Sequence, residues 1–301
     1  MLSVELPPGT YIVAVSGGVD SVVLLDLLVK QKDLDLVVAH FDHGIRETSA
    51  KDREFVGKLS GQYALPFEYG TAKLGAGASE EQARKARYEF LQETRKKHGA
   101  DAIVTAHHQD DVIETICINL LRGTGRMGLS SLTSRKDLRR PLLEVSKAEL
   151  VTYAQHHNLQ WREDETNQNT DYLRNWLRHK ILNKLSDEQR ATFITLYHHA
   201  RVRNEELNSL LSSLLGESSN TLQKSIVINA PHDVAKELLA HWLRDNSIRD
   251  FDQKTLERLV IGTKTLAKGK TVPIKRGVQM IIGDKQLELS SLSSKNSTHS
   301  V

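Results

Sequence analysis

The sequence predicts an α/β protein: a parallel sheet with helices on both faces, followed by a small, mostly helical C-terminal domain. Three observations carry this. Short apolar, β-branched runs alternate with helix-length segments over the first 110 residues, and such alternation produces parallel strands joined by right-handed crossovers. Polar residues cluster directly after those runs, where a parallel sheet presents its ligand edge. From Ser186 to Leu215 the pattern becomes almost continuous helix, the expected connector to a second domain.

In chain order, Tyr11–Val15 is the first strand, followed by a helix from about Asp20 to Lys32 with Leu24, Leu25, Leu27 and Leu28 on its apolar side. Leu36–Phe41 reads as a buried parallel strand. Ser49 opens a helix to about Gln62, Pro66–Tyr69 is a weaker strand, and Lys73–Ala78 is a glycine-rich loop. Ser79 starts a helix to about Lys97, Ala102–Ala106 is the fourth strand, and Asp110 begins a helix to about Arg122, with Asp110 as its cap. A second glycine-rich loop, Gly123–Gly128, and a basic stretch, Arg135–Arg140, follow. Ser146-Lys147-Ala148-Glu149 is a capping box for a helix to about His157. Farther on, helical patterns centre on Leu238–Leu243 and Leu256–Val260, and Thr271–Ile274 and Val278–Leu289 read as strands with a turn at Gly283-Asp284-Lys285. The organisation expected is a catalytic domain over 1–185, a helical connector over 186–215, a small domain over 216–290 and a disordered serine-rich tail over 291–301.

Bulk properties exclude several classes. Charged residues make up 26% and hydrophobic ones 39% of the 301 residues. No apolar run approaches the roughly 20 residues of a membrane span. Met1–Thr10 lacks the basic and apolar regions of a signal peptide, so the cytoplasm is the default compartment. Cys117 is the single cysteine, which excludes intrachain disulfides and cysteine-cluster metal sites, and its isoleucine neighbours suggest a buried, inert thiol. The net charge of +3 says little about nucleic acid; its distribution says more.

The chemistry centres on Ser16-Gly17-Gly18-Val19-Asp20-Ser21, between the first strand and the first helix. Paired glycines let the backbone approach an anion, and the helix start offers unpaired amides and the positive dipole end. Strand, turn and helix together make this a phosphate cradle. It lacks the Walker A lysine, which argues against motor-type or switch-type ATPase chemistry. Gly269-Lys270-Thr271 is a decoy: it opens a strand, and six residues separate Gly262 from Gly269.

After the fourth strand stands His107-His108-Gln109-Asp110-Asp111-Val112-Ile113-Glu114. Asp111 and Glu114, three apart, face one side of the helix. A cluster of histidines and carboxylates at the ligand edge suits Mg²⁺ coordination, proton transfer or an ammonium substrate. After the second strand, His40, Asp42, His43 and Arg46 favour a nucleotide or substrate role. Strand-end geometry alone points adenine towards backbone near Ala14–Val15 and Ala39–His40. Two basic segments, Arg122 to Arg140 including Arg126, and Arg174 to Lys180 including Arg178 with Trp176 inside it, suggest an RNA surface.

These motifs resemble the N-type ATP pyrophosphatase (PP-loop) superfamily and, within it, the tRNA(Ile)-lysidine synthetase family. SGGVDS at 16–21 marks the superfamily. HFDHGIR at 40–46, EEQARKARYEFL at 80–91, AHHQDDVIET at 106–115, LRGTGRMGL at 121–129, RRPLL at 139–143 and EDETNQNTDYLRNWLRH at 163–179 mark the narrower family, in its order. The short region after Leu185 is similar to the compact members.

The resemblance implies an adenine nucleotide alpha hydrolase-like PP-loop fold and ATP-dependent ligation of free L-lysine to the wobble cytidine of tRNA(Ile) through an adenylated RNA. It implies a cradle for ATP and pyrophosphate at Ser16, Gly17, Gly18, Val19, Asp20 and Ser21, with His40 and Asp42. His107 then serves adenylation, Asp111 and Glu114 serve the lysine amine and metal, Asp20 and Asp111 hold Mg²⁺, and Arg122, Arg126, Arg174 and Arg178 contact tRNA. A homodimer is left open. A PP-loop tRNA thiolase, an ammonia-using PP-loop ligase and a non-catalytic tRNA-binding protein are the alternatives.

Overall fold

The computed structural model describes residues 2–42, 49–72, 80–162, 173–216, 219–249 and 251–291. His43, Arg46, the loop 73–78, the helix opener Ser79 and the acidic segment 163–172 lie outside the described residues.

The chain divides into two units, residues 1–123 with 128–198, and residues 124–127 with 199–301. In the first, β1 (Gly9–Ala14), β2 (Leu34–Asp42), β3 (Phe67–Thr71), β4 (Ala102–Val104) and β5 (Leu138–Arg139) form one sheet in the order β3-β2-β1-β4-β5. All four pairings are parallel. Neighbours β1 and β4 are the point where the strand order reverses, and a crevice opens there at the carboxyl ends.

Both faces of the sheet are covered, and the alternation along β1 shows why. Tyr11, Val13 and Val15 enter one core with α1 (Val19–Val29), α2 (Ser49–Gln62) and α5 (Lys147–His156). Ile12 enters the other, with Leu91 of α3 (Glu80–Lys97) and Ile103 of β4. α1 is buried on nearly every side from Ser21 to Leu28, which explains its unbroken apolar run. Gly70 of β3 is a point of close approach: a Cβ there would lie 2.5 Å from Cδ2 of Phe90. Phe90 in turn packs on Phe41 at 5.6 Å between ring centroids. Gly70→Ala is expected to destabilise the protein by about 1–3 kcal/mol through overpacking. Urea denaturation checks this, and an unchanged midpoint would contradict it.

The second unit holds part of α7 (Asp187–Leu215), then α8 (Lys224–Asn229), α9 (His232–Asp245) and α10 (Gln253–Thr265). Beside these helices, β6 (Thr221–Gln223), β7 (Thr271–Lys275), β8 (Val278–Ile282) and β9 (Gln286–Ser291) form an antiparallel sheet in the order β6-β9-β8-β7. Leu239, Leu243, Leu259, Met280, Ile282 and Leu287 make its core. Ser291, expected as the first residue of the tail, belongs to β9, and residues 292–301 lie outside the described residues. Ser290 and Ser291 pair with Gln279 and Val278, because β9 continues as far as its partner β8 does. Among the described residues, no helix is long and apolar enough to cross a membrane.

Candidate active site

The turn after β1 folds onto one side chain. Ser21 Oγ accepts the backbone N–H groups of Ser16 and Gly17, each at 3.2 Å, and donates to the Gly18 carbonyl at 2.9 Å. Gly17 has φ +98°, a conformation open to glycine and strained for other residues. Gly18 is the N-cap of α1 and contributes no side-chain cap, so the first amides of the helix face the turn. The N–H of Arg162 closes the loop from outside by donating to the Gly17 carbonyl at 3.0 Å. Asp20, in the first turn of α1, accepts from Lys147 Nζ at 2.7 Å. The ring of His40, almost fully buried, sits 2.9 Å from the Val15 carbonyl through Nδ1, which ties the end of β2 to the start of the loop. Asp42, half-buried, is the last residue of β2.

The second half of the site comes from α4 (Gln109–Leu121), directly after β4. Its N-cap is His108, not the expected Asp110. The His108 ring accepts the Asp110 N–H at 3.3 Å, and its backbone N–H donates to Asp111 Oδ2 at 2.9 Å. Asp110 is instead drawn into an ion pair with Arg190 of α7. The outward nitrogen of His108, Nε2, stands 3.6 Å from Asp20 Oδ2 and 3.7 Å from Asp111 Oδ2. One imidazole therefore links the phosphate cradle to the carboxylates of α4.

Glu114, one turn beyond Asp111, has no solvent exposure. Arg178 of α6 (Leu173–Lys180) bonds to both: Nη2 reaches Asp111 Oδ1 at 2.9 Å and Glu114 Oε2 at 3.2 Å, and Nε donates to Glu114 Oε1. Arg174, one turn earlier, places Nε 3.6 Å from Glu114 Oε2. The two carboxylates titrate in opposite directions. Burial pushes the Glu114 carboxyl up despite its arginine partners. For Asp111 burial also acts upward, but the Arg178 guanidinium and the hydrogen bond from the His108 backbone N–H prevail and hold it below the usual carboxylate range. Pairs pushed apart in this way divide acid–base roles. His107, bonded through Nδ1 to Thr105 Oγ1 at 2.8 Å, is pushed down to about 3 by burial, with Arg140, Arg87 and Arg84 adding to the effect. It is a neutral imidazole at physiological pH.

The predicted residues thus fall into groups. The turn Ser16–Ser21, His107, Asp111 and Glu114 line one edge of the sheet, and His40 supports it. Arg174 and Arg178, expected on tRNA, contact the carboxylates of α4. Arg122 is exposed as the C-cap of α4. Arg126 belongs to the second unit, where it bonds to Glu237 at 3.0 Å, Asn204 at 2.6 Å and Asn208 at 3.1 Å. Cys117 is half-buried rather than buried, and burial raises its thiol pKa.

The PP-loop domain family matches residues 2–185, which covers both halves of this site. A tRNA(Ile)-lysidine synthase of Bdellovibrio bacteriovorus is 35% identical over 292 residues, 93% of this chain and 91% of that protein. The chain belongs to the tRNA(Ile)-lysidine synthase family. The Thermotoga maritima tRNA(Ile)-lysidine synthase is 42% identical over 181 residues, 57% of this chain and 44% of that protein, so the match spans less than half of the longer relative. Among solved structures, the tRNA thiolase NcsA of Methanococcus maripaludis is similar in fold, with a TM-score of 0.55 at 15% identity over 66% of this chain and 74% of that one. The matched domain, which contains the turn at 16–21, is that of an ATP-using PP-loop family.

Several residues of this family member's site escaped the sequence reading. Lys147 read only as part of a capping box, yet α5 packs beside α1 and brings its ammonium to Asp20, 127 positions away. The role of His108 was hidden because a histidine is an uncommon cap. Arg87 and Arg140 lay within quoted motifs without any local sign of their destination.

Proposed function

We propose that this chain ligates L-lysine to C2 of the wobble cytidine in tRNA(Ile) with a CAU anticodon, in the cytoplasm, using ATP and releasing pyrophosphate and AMP. One observation supports this above the others: a phosphate cradle and an Asp111–Glu114 pair share one crevice, joined through His108. Ligation at C2 needs both. The carbonyl oxygen of cytidine leaves poorly until it carries AMP, and lysine attacks only as a free amine.

In the first step O2 of the cytidine attacks the α-phosphorus of ATP. The turn Ser16–Ser21 and the start of α1 receive the departing pyrophosphate, and Lys147 adds a cation where no Walker lysine exists. His107, neutral, offers hydrogen bonding beside the reacting base without adding charge. In the second step the ε-amine of lysine attacks C2 and AMP leaves. Asp111, held ionised, supplies a fixed negative charge for the incoming ammonium, and Glu114, with its raised pKa, takes the proton. The pair already holds a cation, the Arg178 guanidinium, so its field suits an ammonium.

The donor set also fits Mg²⁺, which binds through one or two carboxylates together with substrate phosphates. Asp20 and Asp111 approach His108 Nε2 from two sides and are the residues that would hold it. Bound there, the ion would neutralise charge on the departing pyrophosphate. Residues 216–290, and the exposed Arg122, are assigned to tRNA binding.

The test is lysine-dependent AMP release from ATP with purified protein and tRNA(Ile) transcripts. Release with the CAU transcript and none with a GAU transcript is expected. Stimulation by ammonia or glutamine in place of lysine, or tRNA binding without turnover, would overturn the reading.

A further inference from the structure

Helix α1 leaves the phosphate turn as an apolar rod with one exception. From Val22 to Leu28 every residue is buried, and all are apolar but Asp26, which is 6% exposed. Its carboxylate accepts three bonds. Tyr63 Oη donates to Oδ1 at 2.9 Å, while Tyr153 Oη and Lys30 Nζ each donate to Oδ2 at 2.7 Å. Lys30 caps the same helix, Tyr63 follows the last residue of α2, and Tyr153 belongs to α5. Lys30 Nζ also donates to Tyr153 Oη at 2.7 Å. A buried ion pair adds little stability over well-packed apolar side chains of the same volume. Its place among leucines and valines calls for a directional role.

The contact between α1 and α5 supplies that role, because it has two rungs. At the first, Lys147 Nζ donates to Asp20 Oδ1 at 2.7 Å. Six residues farther along both helices, Tyr153 Oη donates to Asp26 Oδ2, also at 2.7 Å. Equal steps place the helices side by side in one direction, with about 9 Å between the rungs. The first rung is partly exposed, and the second is buried. Lys147 carries its charge on a flexible stem, so its own contacts do not fix the helix beneath it. The buried rung does. A slip of α5 by one residue would separate Tyr153 from Asp26 and carry Lys147 about 1.5 Å along α1.

We propose that Tyr153, through its bond to Asp26, is a positioning residue for the ATP-dependent step: it sets the register of α5 on α1 and so holds the Lys147 ammonium at the phosphate cradle. This rests on the lysine-ligation reading and deepens it. Tyr153 is buried in the helical layer, so it acts through Lys147 and not on the nucleotide itself. The two oxygens of Asp26 divide the work. Oδ2 takes Tyr153 and aligns α5, whereas Oδ1 takes Tyr63 and secures the end of α2.

The experiment follows lysine incorporation into CAU tRNA(Ile) by wild type, Tyr153→Phe, Tyr63→Phe, Lys147→Met and the double variant Lys147→Met with Tyr153→Phe. Each phenylalanine keeps the packed ring and removes one hydroxyl, so the fold is retained. Tyr153→Phe is expected to lower kcat/KM for ATP roughly 10-fold, within the roughly 100-fold that a misplacement of about 1 Å can cost. The lysine KM and the tRNA Kd stay at their wild-type values. Tyr63→Phe takes a bond from the same carboxylate without removing one to α5. It should lower Tm to a similar extent and leave kcat/KM for ATP within about twofold of wild type. Lys147→Met should lower kcat/KM for ATP roughly 10–100-fold, the value of a charge-assisted contact. In that background Tyr153→Phe should change it by less than about twofold, since no ammonium is left to place. Effects that multiply in the double variant would assign Tyr153 to stability alone and overturn the proposal. So would equal effects of the two phenylalanine substitutions on ATP, or an unchanged kcat/KM for ATP in Tyr153→Phe. If wild type incorporates no lysine, the ligation reading itself falls; a lysine-incorporating wild type with an indifferent Tyr153 leaves that reading standing.

Discussion

Glu114→Gln lowers the rate of lysine incorporation by roughly 10²–10⁴-fold, the usual value of a positioned base, while transfer of the AMP moiety to tRNA continues. The substitution keeps the shape of a side chain that has no solvent exposure and bonds to Arg178, so packing changes little. What it removes is the group whose pKa burial has raised. Asp111→Asn should impair both steps, because Asp111 contacts Arg178 on one oxygen and approaches His108, next to Asp20, with the other. Single-turnover assays that follow adenylated tRNA and lysine-bearing tRNA separately distinguish the two. Lysine incorporation at the wild-type rate in Glu114→Gln would remove Glu114 from the mechanism.

Gly17→Ala is expected to reduce kcat/KM for ATP by roughly 10²-fold, the effect of displacing a reacting group by about 1 Å. With φ at +98°, an alanine here is strained whatever the space, and its Cβ would also stand 3.4 Å from Phe55 Cδ1. The loop relieves that strain only by turning its peptide groups, which breaks the bonds of Ser16 and Gly17 to Ser21 Oγ. Folding should survive, since the sheet and α1 are held by their own core. An ATP KM and kcat unchanged in Gly17→Ala would show that the turn does not position the nucleotide.

The sheet was legible because a doubly covered parallel strand leaves a continuous apolar run, and β1, β2 and the helix between them follow that rule closely. The short pieces were not. β5 has two residues and β6 three, too few for any periodicity, and both exist only because a neighbouring strand lends its ladder. In the site, the residues that follow strands directly were readable, since sheet geometry sends them to the ligand edge. Arg174 and Arg178 read as a basic helix, and nothing local shows that this i, i+4 pair also faces the buried Glu114 of α4. Lys147 and Arg140 were hidden for the same reason: tertiary packing decides where a long cationic side chain ends.

In the proposed mechanism one crevice adenylates an RNA base and then exchanges AMP for lysine. ATP labelled at the α-phosphorus, incubated with the protein and CAU tRNA(Ile) in the absence of lysine, tests it most directly. Label is expected on the tRNA, released as AMP when lysine is added, with one lysine gained per AMP lost. Lysine joined to the tRNA without any labelled RNA intermediate, or label that lysine fails to release, would contradict it.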